Sequence, residues 1–359
     1  MADSPSELTW CSRGASWPPN QLPPLDSAWI AVCVEQKGQH GGNPVHKTFH
    51  WKLRSRSFEL GRRTLIMGVV NVTPDSFSDG GSFLSPQAAV AHALNLLDQG
   101  ADILDLGAES TRPGTIGPGT EPARPQASVS ATEEQARLLP VLEAILKARP
   151  EAIVSIDTYK AETARAALAA SAEIINDVSG LAWDPDLARV CARAGCGIVL
   201  MHTRGLPAEW KSQPALSSET LVATVRAGLE TSLHSALAAG IATEAIVLDP
   251  GYGFGKRGDE NFLLLARQRE LLALGRPLLA GLSRKSFLGQ ALAPLRGGKT
   301  APVDARETAS IAALVGAILH GVSIVRTHQV ASAAEAALIA DAIRLQSIDS
   351  GSSRLPDPA

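Results

Sequence analysis

The chain of 359 residues lacks several things, and each absence narrows its function. There is no apolar run long enough to cross a bilayer, so a membrane-spanning protein is not expected. The first residues show no basic segment followed by a clean apolar stretch, so they do not read as a secretory leader. Only four cysteines occur, Cys11, Cys33, Cys191 and Cys196, in no metal-ligand spacing and no disulfide framework. That scarcity points to a reducing, cytoplasmic setting. There is no excess of positive charge either: the net charge is -3, which leaves no general basic field for nucleic acid.

What is present is a repeated junction between apolar and polar sequence. Thr64 to Gly81 reads TLIMGVVNVTPDSFSDGG, an apolar run that passes directly into Asn71, Thr73, Asp75, Ser76, Ser78 and Asp79. Short apolar runs of this length read as buried strands. The pattern recurs seven times. DILDLG runs into AESTRPG, AIVSI into Asp157-Thr158, and Glu173–Ile175 into Asn176-Asp177. GIVLM runs into His202-Thr203-Arg204, AIVL into DPGYGFGK, Pro277–Leu282 into SRKS, and Val322–Val325 into Arg326-Thr327-His328.

Between these runs lie Ala- and Leu-rich segments of helical spacing: 86–99, 131–148, 161–171, 216–239, 304–320 and 331–343. Ser85-Pro86 and Ser130-x-x-Glu133 supply start signals. Eight strand-then-helix units predict an α/β fold, a (β/α)8 TIM barrel with an N-terminal extension, whose site lies at the C-terminal strand ends. A doubly wound open sheet is the alternative, since sequence does not show strand order. The boundaries follow as an extension over 1–47, expected to be poorly ordered, a barrel over 48–345 and a polar tail over 346–359. The alternation from Thr48 to Leu60 predicts a hairpin that closes the barrel bottom.

The motifs MGVVNVTPDSFSDGG, DLGAESTRPG, SIDT, INDVSG, LMHTRG, LDPGYGFGK, GLSRKSFLG and VRTH, in this order, resemble the dihydropteroate synthase family of pterin-binding enzymes. The resemblance covers about residues 49–343. It implies condensation of 6-hydroxymethyl-7,8-dihydropterin diphosphate with 4-aminobenzoate to give 7,8-dihydropteroate and diphosphate, a step of folate synthesis. It also implies Mg2+, a homodimer and sulfonamides as inhibitors.

The residue types suit that chemistry. A pterin presents a flat edge of alternating donors and acceptors. Asp157, Asn176 and Asp249 can read such an edge, with Lys285 donating to ring acceptors and Arg326 covering a ring face. Asn71, Thr111, Arg112, Arg326 and His328 are the expected diphosphate ligands. Mg2+ would sit on Asn71 and diphosphate oxygens, as suits a hard cation that keeps most of its waters. The resemblance places Asp79 toward a developing cation and makes Asp79, Lys285, Arg326 and His328 the catalytic set. Phe77, Pro113, Phe254, Lys285 and Ser286 would form the aminobenzoate pocket. The expected mechanism is dissociative: diphosphate leaves, the charge spreads into the pterin ring, and the aryl amine attacks. The protein then contributes alignment and neutralisation of the leaving group.

Two departures from the family pattern stand out. The second loop, 115–128 (TIGPGTEPARPQAS), is long and rich in Pro and Gly, and is expected to be mobile. Gln329 stands where an acidic residue is usual. The alternative functions are a pterin-binding methyltransferase and a catalytically silent pterin binder. The methyltransferase would not need the pair of motifs STRPG and GLSRKSFLG, and a silent binder has no reason to keep Asn71, Arg112, Lys285, Arg326 and His328 together.

Overall fold

The structure is a computed structural model and describes residues 48–72, 86–109, 117–118, 125–126 and 129–349. Eight parallel strands form the barrel: β3 (Leu65–Asn71), β4 (Ile103–Gly107), β7 (Val154–Asp157), β8 (Ile174–Asp177), β9 (Gly197–Met201), β10 (Ile246–Asp249), β11 (Leu279–Gly281) and β12 (Ile324–Thr327). Each pairs in parallel with the next in sequence, and β12 returns to β3. A parallel bridge from Leu248 to Leu278 joins β10 to β11 and completes the ring. The expected TIM barrel is what the chain forms, and the open sheet is set aside.

The surrounding helices are α1 (Pro86–Asp98), α2 (Ala131–Ala148), α3 (Ala161–Ala169), α4 (Leu187–Ala194), α5 (Leu221–Ala238), α6 (Gly258–Arg267), α8 (Glu307–Leu319) and α9 (Val330–Asp349). The short α7 (Ser286–Ala291) is an extra turn that follows β11. Among the described residues, no helix is long and apolar enough to cross a membrane.

Local chemistry moved two expected boundaries. The segment predicted from 216 starts its helix at Leu221, because Ser217 and Thr220 exchange hydroxyl bonds with each other's backbone N–H at 3.1 and 3.2 Å. That reciprocal turn satisfies donors that a helix would otherwise orphan. The segment predicted from 304 begins as a tight 3-10 turn, Val303–Arg306, before α8. Ser130 caps α2 as expected, its Oγ accepting from Glu133 N–H at 3.2 Å. Glu133 turns its carboxylate to Arg137. Within the long second loop, two short strands, β5 (Gly117–Pro118) and β6 (Pro125–Gln126), pair antiparallel.

Side chains alternate along a strand, so every second residue of the barrel strands shares one face. Met67, Ile103, Ile174, Val199, Val247, Leu279 and Ile324 pack together inside, at the start of their strands. The expected hairpin, β1 (Phe49–Lys52) and β2 (Ser57–Leu60), plugs this end with Phe49, Trp51, Leu53 and Leu60. Trp51 Nε1 donates to the carbonyl of Ala245 at 2.9 Å. Gly197 makes room for the plug: a Cβ there would lie 2.4 Å from Leu53 Cδ2. The alternate residues, such as Leu104, Ile156, Ile198, Leu248 and Val325, face outward into the helices.

Candidate active site

On four of the strands, two residues up from the apolar layer and about 6–7 Å along the strand, the same inward face turns polar. Ile103 gives way to Asp105, Ile174 to Asn176, Val247 to Asp249 and Ile324 to Arg326. The barrel thus changes within one layer from a packed core to a charged mouth.

Arg326 is the hub of this layer. Its Nε donates to Asp105 Oδ2 at 2.6 Å, and its Nη2 donates to Asp157 Oδ2 at 2.8 Å. Asn176 Nδ2 donates to the same oxygen of Asp105 at 3.0 Å. The Asp105 carboxylate thereby ties β4, β8 and β12 together, and Arg326 extends the link to β7. Asp105 is wholly buried, and its other oxygen has no hydrogen-bond partner. Ser155, on the neighbouring strand, also buries an unpartnered hydroxyl. Buried polar atoms without partners are unusual and point to a site built for a polar ligand.

The charges are under stress from burial. Burial works against the charge of Arg326, but Asp105 and Asp157 outweigh it and hold the guanidinium protonated. Burial lifts Asp157 to about 7, with Arg326 pulling it back down and Asp105 pushing it further up. Asp249 is also raised by burial, against the pull of the Gly251 N–H and of Lys285. Its Oδ1 accepts from Gly251 N at 2.7 Å, which leaves Oδ2 to a ligand. Lys285 is pushed down to about 7, chiefly by burial, while Asp249 favours its charge. Groups displaced to neutrality in a concave site are those to examine for function.

Lys285 is the residue before α7. Its ammonium lies 3.8 Å from the centroid of the Phe254 ring, a cation–π contact. Phe254 also meets Trp210 edge-on, with centroids 4.9 Å apart. A ligand beside this pair would therefore meet both the carboxylates of the barrel mouth and an aromatic wall. Ser286, the first residue of α7, is exposed beside them.

The remaining expected residues fall as follows. Asn71 is exposed at the end of β3, in register with Gly107, which is in turn in register with Asp157. His328 follows β12, and its Nδ1 lies 3.0 Å from Ser283 Oγ, so β11 and β12 share one polar rim. Gln329 buries its amide oxygen without a partner. Phe77, Asp79, Thr111, Arg112 and Pro113 lie outside the described residues, as do the 1–47 extension and the end of the tail. Among the described residues, no group of three His, Cys, Asp or Glu side chains is arranged to hold a metal ion.

Sequence reasoning passed over Asp105. It sits inside an apolar strand rather than at its polar end, and only the alternation Ile103-x-Asp105-x-Gly107 marks it as facing inward. It also passed over Lys256, a buried cation held by the carbonyls of Gly251, Phe254 and His202 at 2.7, 3.2 and 3.3 Å. Burial pushes Lys256 down to about 7. His202 is buried against Gly228, and burial, with Lys256 and Arg204, holds its ring neutral.

With this geometry in hand, the likenesses to known proteins become informative. The sequence pattern of pterin binding enzymes matches residues 67–328. The dihydropteroate synthase of Mycobacterium leprae (strain TN) is 44% identical over 271 residues, which cover 76% of this chain and 90% of that protein. The Yersinia pestis dihydropteroate synthase, solved as a complex with a sulfonamide drug, has a TM-score of 0.73 at 36% identity and covers 83% of this chain and 100% of its own. The Xanthomonas albilineans dihydropteroate synthase, solved with 7,8-dihydropteroate, has a TM-score of 0.68 at 36% identity and covers 82% and 98%.

Proposed function

The chain belongs to the pterin-binding enzyme family, and we propose how its barrel mouth divides the work of dihydropteroate synthesis. The reaction joins 6-hydroxymethyl-7,8-dihydropterin diphosphate to 4-aminobenzoate, giving 7,8-dihydropteroate and diphosphate for folate synthesis. The observation that carries our division of roles is the inward polar layer of Asp105, Asp157, Asn176, Asp249, Lys285 and Arg326 above an apolar plug.

Asp249 and Asn176 hold the amino-amide edge of the pterin. Asp157 completes the set, and Asp105 keeps Asn176 and Arg326 in place. Lys285 donates to ring acceptors, and Arg326 lies against a ring face. The diphosphate binds toward the rim formed by Asn71, Arg326 and His328, together with Thr111 and Arg112. Phe254, Lys285 and Ser286 form the described wall of the aminobenzoate pocket, with Phe77 and Pro113 as its other members. Sulfonamides would compete at this wall.

Asn71 offers a single exposed amide oxygen at a strand end, which fits a hard cation completed by diphosphate oxygens and water. Mg2+ bound there would supply charge neutralisation of the leaving group. The chain's own residues do the rest. They align the pterin methylene with the amine, and Asp79, by the family resemblance, would serve the positive charge that develops as diphosphate departs. No protein nucleophile is required, and preorganised charge carries the rate. A homodimer belongs to the same reading, supported by the exposed Leu338, Ile339 and Ile343 on α9. No observation favours the methyltransferase or the silent binder.

The test is diphosphate release from purified protein with Mg2+ and the dihydropterin diphosphate, with and without 4-aminobenzoate. Release that tracks aminobenzoate and yields dihydropteroate is expected. Pterin binding without coupled release would overturn this division of roles.

A further inference from the structure

Lys256 is a buried ammonium that the chemistry above does not use. It is 7% exposed, and no carboxylate lies within ion-pair distance of it among the described residues. Its Nζ meets three backbone carbonyls, those of Gly251, Phe254 and His202. An ammonium has three donors, so the cage uses the whole set. Burying a charge is costly, and a neutral group would fill this space at lower cost. The cation is explained by the convergence of three carbonyl dipoles on one point, which repel one another unless a positive charge sits between them.

The backbone is wound to bring those carbonyls together. Gly251 has φ +69°, and a Cβ on it would lie 1.9 Å from the carbonyl oxygen of His202. The loop after β10 is therefore folded directly onto the end of β9. Asn261 holds the far side of the loop, its Oδ1 accepting from Gly253 N at 2.7 Å. Within this loop Phe254 is gripped twice. Its carbonyl is caught by Lys256, and its ring lies under Lys285. One lysine fixes the backbone, and the other uses the ring that this backbone presents.

We propose that Lys256 is a positioning residue for the amine substrate: by gathering the carbonyls of His202, Gly251 and Phe254 it sets the Phe254 ring against Lys285 and so shapes the aminobenzoate wall. This rests on the reading of the barrel mouth as the pterin and aminobenzoate site. Lys256 touches neither substrate, so its loss acts through Phe254. The two substrates then separate the effect, because two of the three pterin contacts, Asn176 and Asp157, stand on strands that Lys256 does not touch, and it reaches Asp249 only indirectly, through the Gly251 N–H that Asp249 accepts.

The experiment is Lys256→Met, which keeps the aliphatic stem and removes the charge. The KM for 4-aminobenzoate and the inhibition constant of a sulfonamide should rise together by about tenfold, the scale of one lost charge-assisted hydrogen bond, with kcat largely kept. Dihydropterin affinity by calorimetry should stay within about twofold on the same scale. In a Phe254→Leu background, Lys256→Met should add nothing further. Unchanged aminobenzoate KM, equal losses for both substrates, or additive effects with Phe254→Leu would each overturn the proposal. If Lys256→Met does not fold, Lys256→Gln, which keeps two of the donors, is carried through the same titrations with the same deciding outcomes. Wild-type protein that failed to bind dihydropterin would sink the reading of the mouth instead.

Discussion

Arg326 and Asp105 stand 221 positions apart in sequence and 2.6 Å apart in the barrel, where Nε donates to Oδ2. This pair joins the last strand to the second and sets the height at which the mouth becomes charged. Asp105→Asn keeps the shape and removes the charge, leaving Arg326 with Asp157 as its acidic partner. Breaking a buried pair on one side costs about 3–5 kcal/mol, and the partial exposure of Arg326 lowers the expectation to about 2 kcal/mol. Urea unfolding should report that loss, and calorimetry should show dihydropterin affinity weakened by about tenfold or more, since Arg326 and Asn176 are then held by a neutral amide oxygen in place of a carboxylate. Wild-type values in both would make the pair incidental to the site.

The pH dependence of kcat/KM should be bell-shaped around neutrality. Asp157 is lifted to about 7 by burial, so its carboxylate is lost as pH falls through that value. Lys285 is pushed down to about 7 by burial, so its ammonium is lost as pH rises through it. Such profiles report groups of the free enzyme and substrate. The two limbs are assigned separately: Asp157→Asn should flatten the acid limb and Lys285→Met the alkaline one, each on a much lower plateau. A profile flat from pH 5.5 to about 9, the range over which groups near neutrality titrate, would remove both groups from the rate-determining set.

Lys285 should also cost the protein stability. Its folded value lies below the ordinary 10.5, so the folded state binds that proton less readily than the unfolded state does. The stability associated with this group is present above 10.5 and lost as pH falls toward about 7. Lys285→Met is therefore expected to be more stable than wild type at pH 7, with the advantage shrinking as pH rises toward 10.5. Paired urea midpoints at pH 7 and at the alkaline end measure it. An advantage that stays constant with pH would point to packing rather than charge.

Much of this is legible in the sequence, for a physical reason. A parallel barrel buries its strands on both faces, so each reads as a short apolar run, and each run ends where the mouth begins. Asn71, Asp157, Asn176, Asp249 and Arg326 are visible because they stand at those ends. Asp105 is not, because it lies in mid-strand, two residues before the end of β4, and its neighbours Leu104 and Leu106 disguise it as core. Lys256 was obscured for another reason: its partners are backbone carbonyls, which carry no side-chain signature. The hairpin at 49–60 could be read from alternation, whereas the turn at Ser217–Thr220 depends on hydroxyl geometry that composition does not encode.

The bottom of the barrel offers the control for all of these. Trp51 is fully buried, fills the space among Leu53, Leu60 and Val247, and spends its indole N–H on Ala245. Trp51→Ala removes the ring and leaves a cavity, and substitutions of this kind cost about 3–5 kcal/mol. A cost of that size is a large fraction of the stability of a typical domain, and the thermal midpoint should fall accordingly. The polar layer lies above the plug and is fastened by its own bonds, Arg326 to Asp105 and Asp157, and Asn176 to Asp105. Below the midpoint, KM values for both substrates should therefore match wild type, and kcat per folded molecule should be retained. Reduced stability with intact KM is the expected outcome. A rise in KM at a temperature where the protein is still folded would show that plug and mouth are mechanically coupled, and that the apolar layer helps to set the spacing of the carboxylates above it.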